Sequence, residues 1–194
     1  MRDEIPDVEG KRFLIRALAF IIDIMVVNGL TLISGFVGYV IIGILMIFVS
    51  YILGIELYFV EEENILQLIY SLIISILYFG LFEGVYGATF GKLILRMRVI
   101  SSNGDPCSLL QAFDRSILRI IDGFFFGLVA YINMKPPLNQ RIGDKRAGTL
   151  VVSANNPIIR KCHEWWKFIL ALILFLISSG LIAMMFTIFD IRIS

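Results

Sequence analysis

The sequence has few of the residues that build catalytic, redox or metal sites. Among 194 residues there is one histidine, His163, and two cysteines, Cys107 and Cys162, which are too far apart for a CxxC motif. Neither a disulfide framework nor a zinc cluster is indicated, and we expect no metal site. The GxSxG and HExxH motifs are missing too, so we expect no enzyme activity.

Two binding motifs are also missing. The segment GATFGK, residues 87–92, is one residue short of a phosphate-binding loop, and Leu93 follows it where serine or threonine is required. We therefore expect no nucleotide or other cofactor. Basic residues form no sustained stripe with interleaved aromatic residues, which argues against a nucleic-acid partner.

Charged residues are absent from long stretches of the chain, and these stretches are strongly apolar. The sequence is 58% hydrophobic and contains 16 phenylalanines, and its mean hydropathy is +0.87. One soluble core of this size cannot bury so much apolar surface, so the lipid bilayer must be part of the surroundings. We predict an all-α, polytopic helical membrane protein of the cell membrane.

The alternation of polar and apolar segments divides the chain into four parts. Residues 1–12 form a polar N-terminal tail, and residues 13–152 form a membrane domain. Residues 153–164 form a basic linker. Residues 165–194 add a further transmembrane helix, of which Trp165–Phe189 is the clearest spanning segment in the sequence.

The first apolar block, residues 14–57, is too long for one crossing. As a single helix it would be about 65 Å long, roughly twice the ~30 Å hydrocarbon core. We therefore predict that it folds back near residues 34–38, a segment that contains Gly35 and Gly38. The block is also much longer than the apolar region of a cleaved signal peptide, so we expect the N-terminus to be retained.

Two later segments complete the predicted membrane domain. Residues 65–82 supply another spanning helix, whereas residues 109–122 carry apolar residues on one helical face and charged residues on the other. Arg119 and Asp122 would each cost about 2.5–3.5 kcal/mol at the bilayer centre. Residues 115–134 therefore either form a re-entrant or interfacial hairpin or span behind other helices. The total is about four membrane segments.

Basic residues gather in the polar segments after residue 90. By the positive-inside tendency we expect these loops to be cytoplasmic and Glu61–Glu63 to be external. A cytoplasmic N-terminus then requires an odd number of crossings before Glu61. We favour one crossing followed by a re-entrant or interfacial Val37–Leu57, and the alternative is two crossings from an external N-terminus.

Asp23 is the ionisable residue placed deepest in a predicted spanning helix. If that helix enters the bilayer near Phe13, Asp23 lies about 15 Å deep, close to the midplane. An ionisable group at that depth is a functional candidate, and the structural alternative is an interhelical ion pair. Arg16 projects from the same face about 10 Å away along the axis, so each needs a partner on another element.

A later segment has the same spacing of charges. Arg16 and Asp23 correspond to Arg115 and Asp122, with two isoleucines directly before each aspartate. The match is either chance in an isoleucine-rich sequence or a structural repeat in which the arginine of one helix meets the aspartate of the other. Arg119 and Asp122 can also pair locally, or this face can be the solvated side of an interfacial helix.

Four motifs occur in order between Lys11 and Val152: RALAFIID, GATFGKLILRMRVISSNG, DRSILRIID and RIGDKRAGTLVV. Together they resemble the RDD family of small membrane proteins, named for an arginine and two aspartates. The resemblance implies that Arg16 and Asp23 are the first arginine and aspartate and that Asp144 is the last aspartate. The sequence departs from the family at Phe90, where proline or a small aliphatic residue is common, and at Gly143, where histidine often precedes the aspartate.

The resemblance implies two kinds of function, because some members are thought to act in cation/proton antiport and others look like regulators of membrane-bound proteins. Our first hypothesis is a transporter or ion-handling protein in which Asp23 exchanges a proton for a monovalent cation while arginines 16, 115 and 119 tune its pKa. The second is a non-transporting scaffold or regulator that docks on another membrane protein. About four helices enclose little volume for a pathway without a homo-oligomer, which favours the second.

Overall fold

The computed structural model describes residues 10–55, 57–59, 65–123, 128–156, 164–189 and 191–193, and for a few of these, Asp122 among them, it describes the backbone alone. Helices dominate, as the apolar blocks predict. In chain order the elements are α1 (Phe13–Leu53), β1 (Leu57–Phe59), α2 (Ile65–Leu81), a π-helical turn (Phe82–Tyr86), α3 (Phe90–Ile94), β2 (Met97–Ser101), α4 (Leu109–Gly123), α5 (Leu128–Asn133), α6 (Ile142–Arg146), β3 (Thr149–Ser153), α7 (Trp165–Phe189) and β4 (Ile191–Ile193).

Three helical segments are long and apolar enough to cross a membrane: Phe13–Leu53, Ile65–Tyr86 and Trp165–Ile188. The chain is thus an all-α membrane protein with three candidate spans among the described residues, where about four membrane segments were predicted. The difference lies in α4 and α5. They have 15 and 6 residues, too few to span singly at about 1.5 Å per residue.

The first apolar block forms one continuous helix, so the predicted fold-back near residues 34–38 is wrong. Its 41 residues run to Gly54, which ends α1 in the left-handed conformation at φ +66°. The small residues that indicated a turn serve helix contacts instead. The Ser34 hydroxyl accepts a 2.9 Å hydrogen bond from Ser179 of α7, and a Cβ on Gly38 would lie 3.4 Å from the carbonyl oxygen of Gly180.

The directions of the long helices determine which elements lie at each end of the bundle. Tyr86, after α2, stacks near Trp165 at the start of α7, with ring centroids 6.0 Å apart, whereas β1 pairs with β4 at the opposite end. One helix therefore precedes residue 60, as a cytoplasmic N-terminus requires. The predicted re-entrant Val37–Leu57 is wrong because α1 continues through it, and Glu61–Glu63 lie outside the described residues.

An aromatic core joins the three long helices. Tyr78 and Phe82 are fully buried against Phe175 of α7, with the Tyr78 and Phe175 rings 5.5 Å apart edge to face. Beside this core the antiparallel pair β2 and β3 holds the shorter helices in place. In four of its five cross-strand pairs both residues are buried. The short elements therefore meet the long helices at the end where α1 begins.

Helix α4 is amphipathic as predicted, but the arginines of its charged face are turned inward, whereas Asp114 is exposed. Arg115 is 3% exposed, whereas Leu110, on the opposite side, is 82% exposed. Helix α4 contacts α2, the π-helical turn and α6. The interpretation of this face as the solvated side of an interfacial helix is therefore wrong, since the guanidinium groups find carboxylate partners inside the protein.

Candidate functional site

Six charged side chains from five elements meet at the end of the bundle where α1 begins; we call them the charged cluster. Its members are Arg16 of α1, Glu83 of the π-helical turn, Lys92 of α3, Arg115 and Arg119 of α4, and Asp144 of α6. All except Arg119 are buried, and its side chain is 13% exposed.

Asp144 joins two of the arginines. Arg16 Nη2 lies 2.5 Å from one carboxylate oxygen of Asp144, and Arg115 Nη2 lies 2.9 Å from the other. The Arg141 backbone N–H also donates to Asp144, at 3.1 Å, at the start of α6. Burial opposes ionisation of Asp144, but Arg16 and Arg115 outweigh it and hold its pKa well below the usual range.

Glu83 joins the other cations. Its carboxylate accepts hydrogen bonds from Lys92 and, at 2.7 Å, from Arg119, and Arg115 Nη2 lies 3.6 Å away. The π-helical turn puts this residue inside the bundle, an irregularity that is frequent at functional sites. Burial, and then the nearby arginines, lower the pKa of Lys92 to about 8 against the attraction of Glu83.

Two glycines allow the short helices to come close enough. A Cβ on Gly91 would collide with the Ala19 carbonyl group of α1. A Cβ on Gly143 would lie 3.3 Å from both the Arg115 carbonyl oxygen and the Leu118 Cβ of α4. A side chain at position 143 would therefore need α4 to shift by a few tenths of an ångström.

Asp23 lies outside this network of ion pairs and is held by neutral donors. Its carboxylate accepts hydrogen bonds from the Tyr78 hydroxyl at 2.9 Å, the Thr89 hydroxyl at 2.6 Å and the Gly91 backbone N–H at 2.7 Å. Asp23 is 1% exposed, and no described cation lies within salt-bridge distance of it. The anticipated interhelical ion pair is therefore not present at Asp23 within the described residues.

A cavity of about 20 Å³ connects the charged cluster with Asp23. A larger cleft of about 350 Å³ lies between α1, α2 and α4 and is mainly apolar. The two share Phe20, Phe79 and Arg119 as lining residues, and the Arg119 guanidinium lies over the Phe79 ring, 3.6 Å from its centroid.

The structure brings five of the six residues predicted for a polar site to this cavity or its walls: Arg16, Asp23, Arg115, Arg119 and Asp144. The side chain of Asp122 lies outside the described part. Arg16 and Arg115, which correspond in the two like-spaced segments, meet at Asp144; the carboxylate that Arg16 contacts is therefore not the one that the repeat hypothesis gives it.

Sequence reasoning did not include Glu83, Lys92, Tyr78 or Thr89 in the polar site. Glu83 carried a usable signal, since it is a carboxylate at the end of a predicted spanning helix, flanked by glycines at 80 and 84. Tyr78 and Thr89 gave none, because tyrosine and threonine are ordinary in apolar segments. Among the described residues no group of three or more histidine, cysteine or acidic side chains could hold a metal ion.

Comparison with known proteins places the chain in a family without supplying a function. Neither the curated proteins nor the solved structures provide a match. The family model described as the RDD family matches residues 11–148, a range that includes Asp23 and every member of the charged cluster. The chain therefore belongs to the RDD family of membrane proteins.

Proposed function

We propose that this membrane protein handles protons and ions without acting as an enzyme, and that Asp23 is the group that gains and loses the proton. The observation that carries the proposal is the set of neutral partners around the buried Asp23 carboxylate. A carboxylate held by hydroxyl groups takes up a proton without breaking an ion pair, and the hydroxyls can reverse their hydrogen bonds to accept from the acid.

The neighbouring charged residues supply a route by which a proton can reach Asp23, and they set the electrostatic potential at its carboxylate. Asp23 and Lys92 line the same cavity, and a pKa of about 8 lets Lys92 exchange protons near neutral pH. The arginines of the cluster stay charged, so they act on Asp23 by their field. Exchange of the proton for a monovalent cation is the form of transport that we propose.

We further propose that the end of the bundle with the charged cluster faces the cytoplasm of the cell. The support is the positive-inside tendency, because the segments at this end carry most of the basic residues outside the long helices.

Flux in proteoliposomes tests the proposal. Purified protein is reconstituted with an internal pH dye, an inward pH gradient is imposed, and sodium or potassium is added. We expect the cation to dissipate the gradient in the wild type, and Asp23→Asn to reduce the rate at least tenfold. Asp114→Asn is the matched control, because Asp114 lies exposed on α4. Asp23→Asn with undiminished flux would remove Asp23 from the mechanism.

The second candidate function is that of a scaffold or regulator of another membrane protein. It is favoured by the half of α1 that follows Gly35. Its large apolar residues beyond Gly35 are widely exposed, for example Phe36, Ile47 and Tyr51, more than one bilayer crossing needs. Purification in a native nanodisc followed by mass spectrometry separates the two functions. A stoichiometric partner in place of flux favours the scaffold.

A further inference from the structure

We propose that the cavity of the charged cluster binds one small inorganic anion of about halide size, held by Arg115 and Arg119. This goes beyond proton handling at Asp23, because it assigns a different ligand to different side chains.

The charges of the cluster do not balance. Among the described side chains, four cations contact only two carboxylates, since Arg16 and Arg115 meet at Asp144 while Lys92 and Arg119 meet at Glu83. Even if Asp23 is counted as ionised, one positive charge remains in excess. Buried charge without a counter-ion is strongly unfavourable, so the excess positive charge of the cluster favours an added anion.

Unused hydrogen-bond donors lie where the anion would be. Within the described part of the chain, Nε and Nη1 of Arg115 and Nη1 of Arg119 are buried and have no acceptor at hydrogen-bond distance, and both residues line the cavity. Arg115 is 3% exposed, so solvent does not readily replace the missing partner. Buried guanidinium N–H groups normally find one.

Apart from the Asp144 and Glu83 carboxylates, which Arg115 shares with other cations, the acceptor beside this arginine is uncharged. Cys107 lies beside this arginine, but burial raises the pKa of its thiol to about 11 against the attraction of Arg115. At neutral pH the sulfur is therefore a weak acceptor and no counter-ion.

The volume of the cavity limits the size of the anion. The cavity of about 20 Å³ has room for about one water-sized particle. Chloride or bromide fits that description, whereas phosphate brings four oxygens. Phe20 and Phe79 form the apolar part of the lining, which suits a weakly hydrated monovalent anion.

Thermal unfolding of the full chain in a neutral detergent tests the proposal. Chloride, bromide and nitrate are titrated into sodium gluconate at constant ionic strength, and phosphate and an anionic phospholipid are titrated separately. We expect the three small anions to raise Tm saturably, with the same half-saturating concentration in sodium and potassium. If Tm stays constant in all arms, or if only phosphate or the phospholipid raises it, the proposal is overturned.

Substitutions of Arg119 test whether the anion that raises Tm binds in this cavity. Arg119→Gln should raise the half-saturating bromide concentration at least tenfold, and Arg119→Lys should raise it less. Arg98→Gln is the control, because Arg98 is buried but donates to the Tyr86 carbonyl oxygen away from this cavity. Equal anion responses in Arg119→Gln and wild type would refute the site. If Arg119→Gln does not fold, anomalous diffraction from wild-type crystals grown in bromide decides, by a peak within about 3.5 Å of Arg115 or by its absence.

Discussion

At the scale of single residues, the site depends on which charge each carboxylate meets. Asp144 has two guanidinium groups and Glu83 has three cations within salt-bridge distance, whereas Asp23 has neutral donors alone among the described residues. The three buried acids of the described residues therefore differ in their surroundings: two neutralise buried cations, and one is held by neutral donors.

Asp144→Asn should be among the most destabilising conservative changes in the chain. It leaves Arg16 and Arg115 buried beside a neutral amide, and removal of one partner from a buried pair costs about 3–5 kcal/mol. Asp105→Asn, at an exposed turn, should change the free energy of unfolding by less than about 0.5 kcal/mol. Denaturant unfolding of the purified variants, followed by tryptophan fluorescence, measures both; equal stability of the two would contradict the role of Asp144.

The ion pairs of Asp144 with Arg16 and Arg115 predict that the stability of the protein depends on pH. Because the arginines lower the pKa of Asp144 below its ordinary value of 3.8, the stabilisation is complete above about pH 4 and declines as the pH falls toward the folded-state value. The Tm difference between wild type and Asp144→Asn should therefore narrow as the pH falls from about 4 toward about 2. A constant difference over that range would show that charge is not the cause.

At the scale of elements, small residues decide how the long helices approach each other. A Cβ on Gly38 would lie 3.1 Å from Met184 Cγ of α7, whereas one on Gly43, five positions later, meets nothing within 4 Å. The hydrogen bond between Ser34 and Ser179 one turn earlier depends on the same close approach. Small residues at positions 34 and 38 thus allow α1 to approach α7 closely at this point.

Gly38→Leu should separate α1 from α7, whereas Gly43→Leu should not. Overpacking of a close contact typically costs about 1–3 kcal/mol, so Gly38→Leu should lower Tm clearly while Gly43→Leu leaves it near the wild-type value. Thermal unfolding of both variants in the same detergent gives the comparison. If the two leucines are equally tolerated, this helix contact does not stabilise the protein.

At the scale of the whole molecule, the three long helices put the charged cluster and the β1–β4 pair at opposite ends. Among the described residues a single helix precedes residue 60, so the start of α1 lies at the same end of the bundle as β2 and β3. The single crossing by α1 distinguishes this fold from the alternative in which the first apolar block crosses the bilayer twice.

Cysteine accessibility in sealed vesicles tests this arrangement. In a background with serine at positions 107 and 162, Arg12→Cys and Tyr58→Cys, both at exposed positions, should react with an impermeant maleimide from opposite sides, because α1 lies between them. Asn103→Cys, also at an exposed position, should react from the same side as Arg12→Cys. Asn103→Cys should react from the cytoplasmic side. Reaction of Arg12→Cys and Tyr58→Cys from the same side would contradict a single crossing by α1.

Local pattern alone settled much of the architecture. A run of apolar residues longer than the bilayer is thick must meet lipid wherever it folds, so the membrane class and the spanning segments in α2 and α7 follow from composition. An ionisable residue in such a run is conspicuous for the same reason, which is why Asp23 and Arg16 are recognisable as candidates from the sequence. Their place in the family motif added Asp144.

Pairing and helix continuity were decided by tertiary contacts. The sequence around Ser34 and Gly38 suits a turn or a close helix contact equally well, and only α7 lying alongside makes it a contact. Arg16 takes Asp144, 128 residues away, because α6 packs on α4 beside the start of α1. Periodicity reports the face on which a charge lies, but the charge that it meets depends on which helices come together in space.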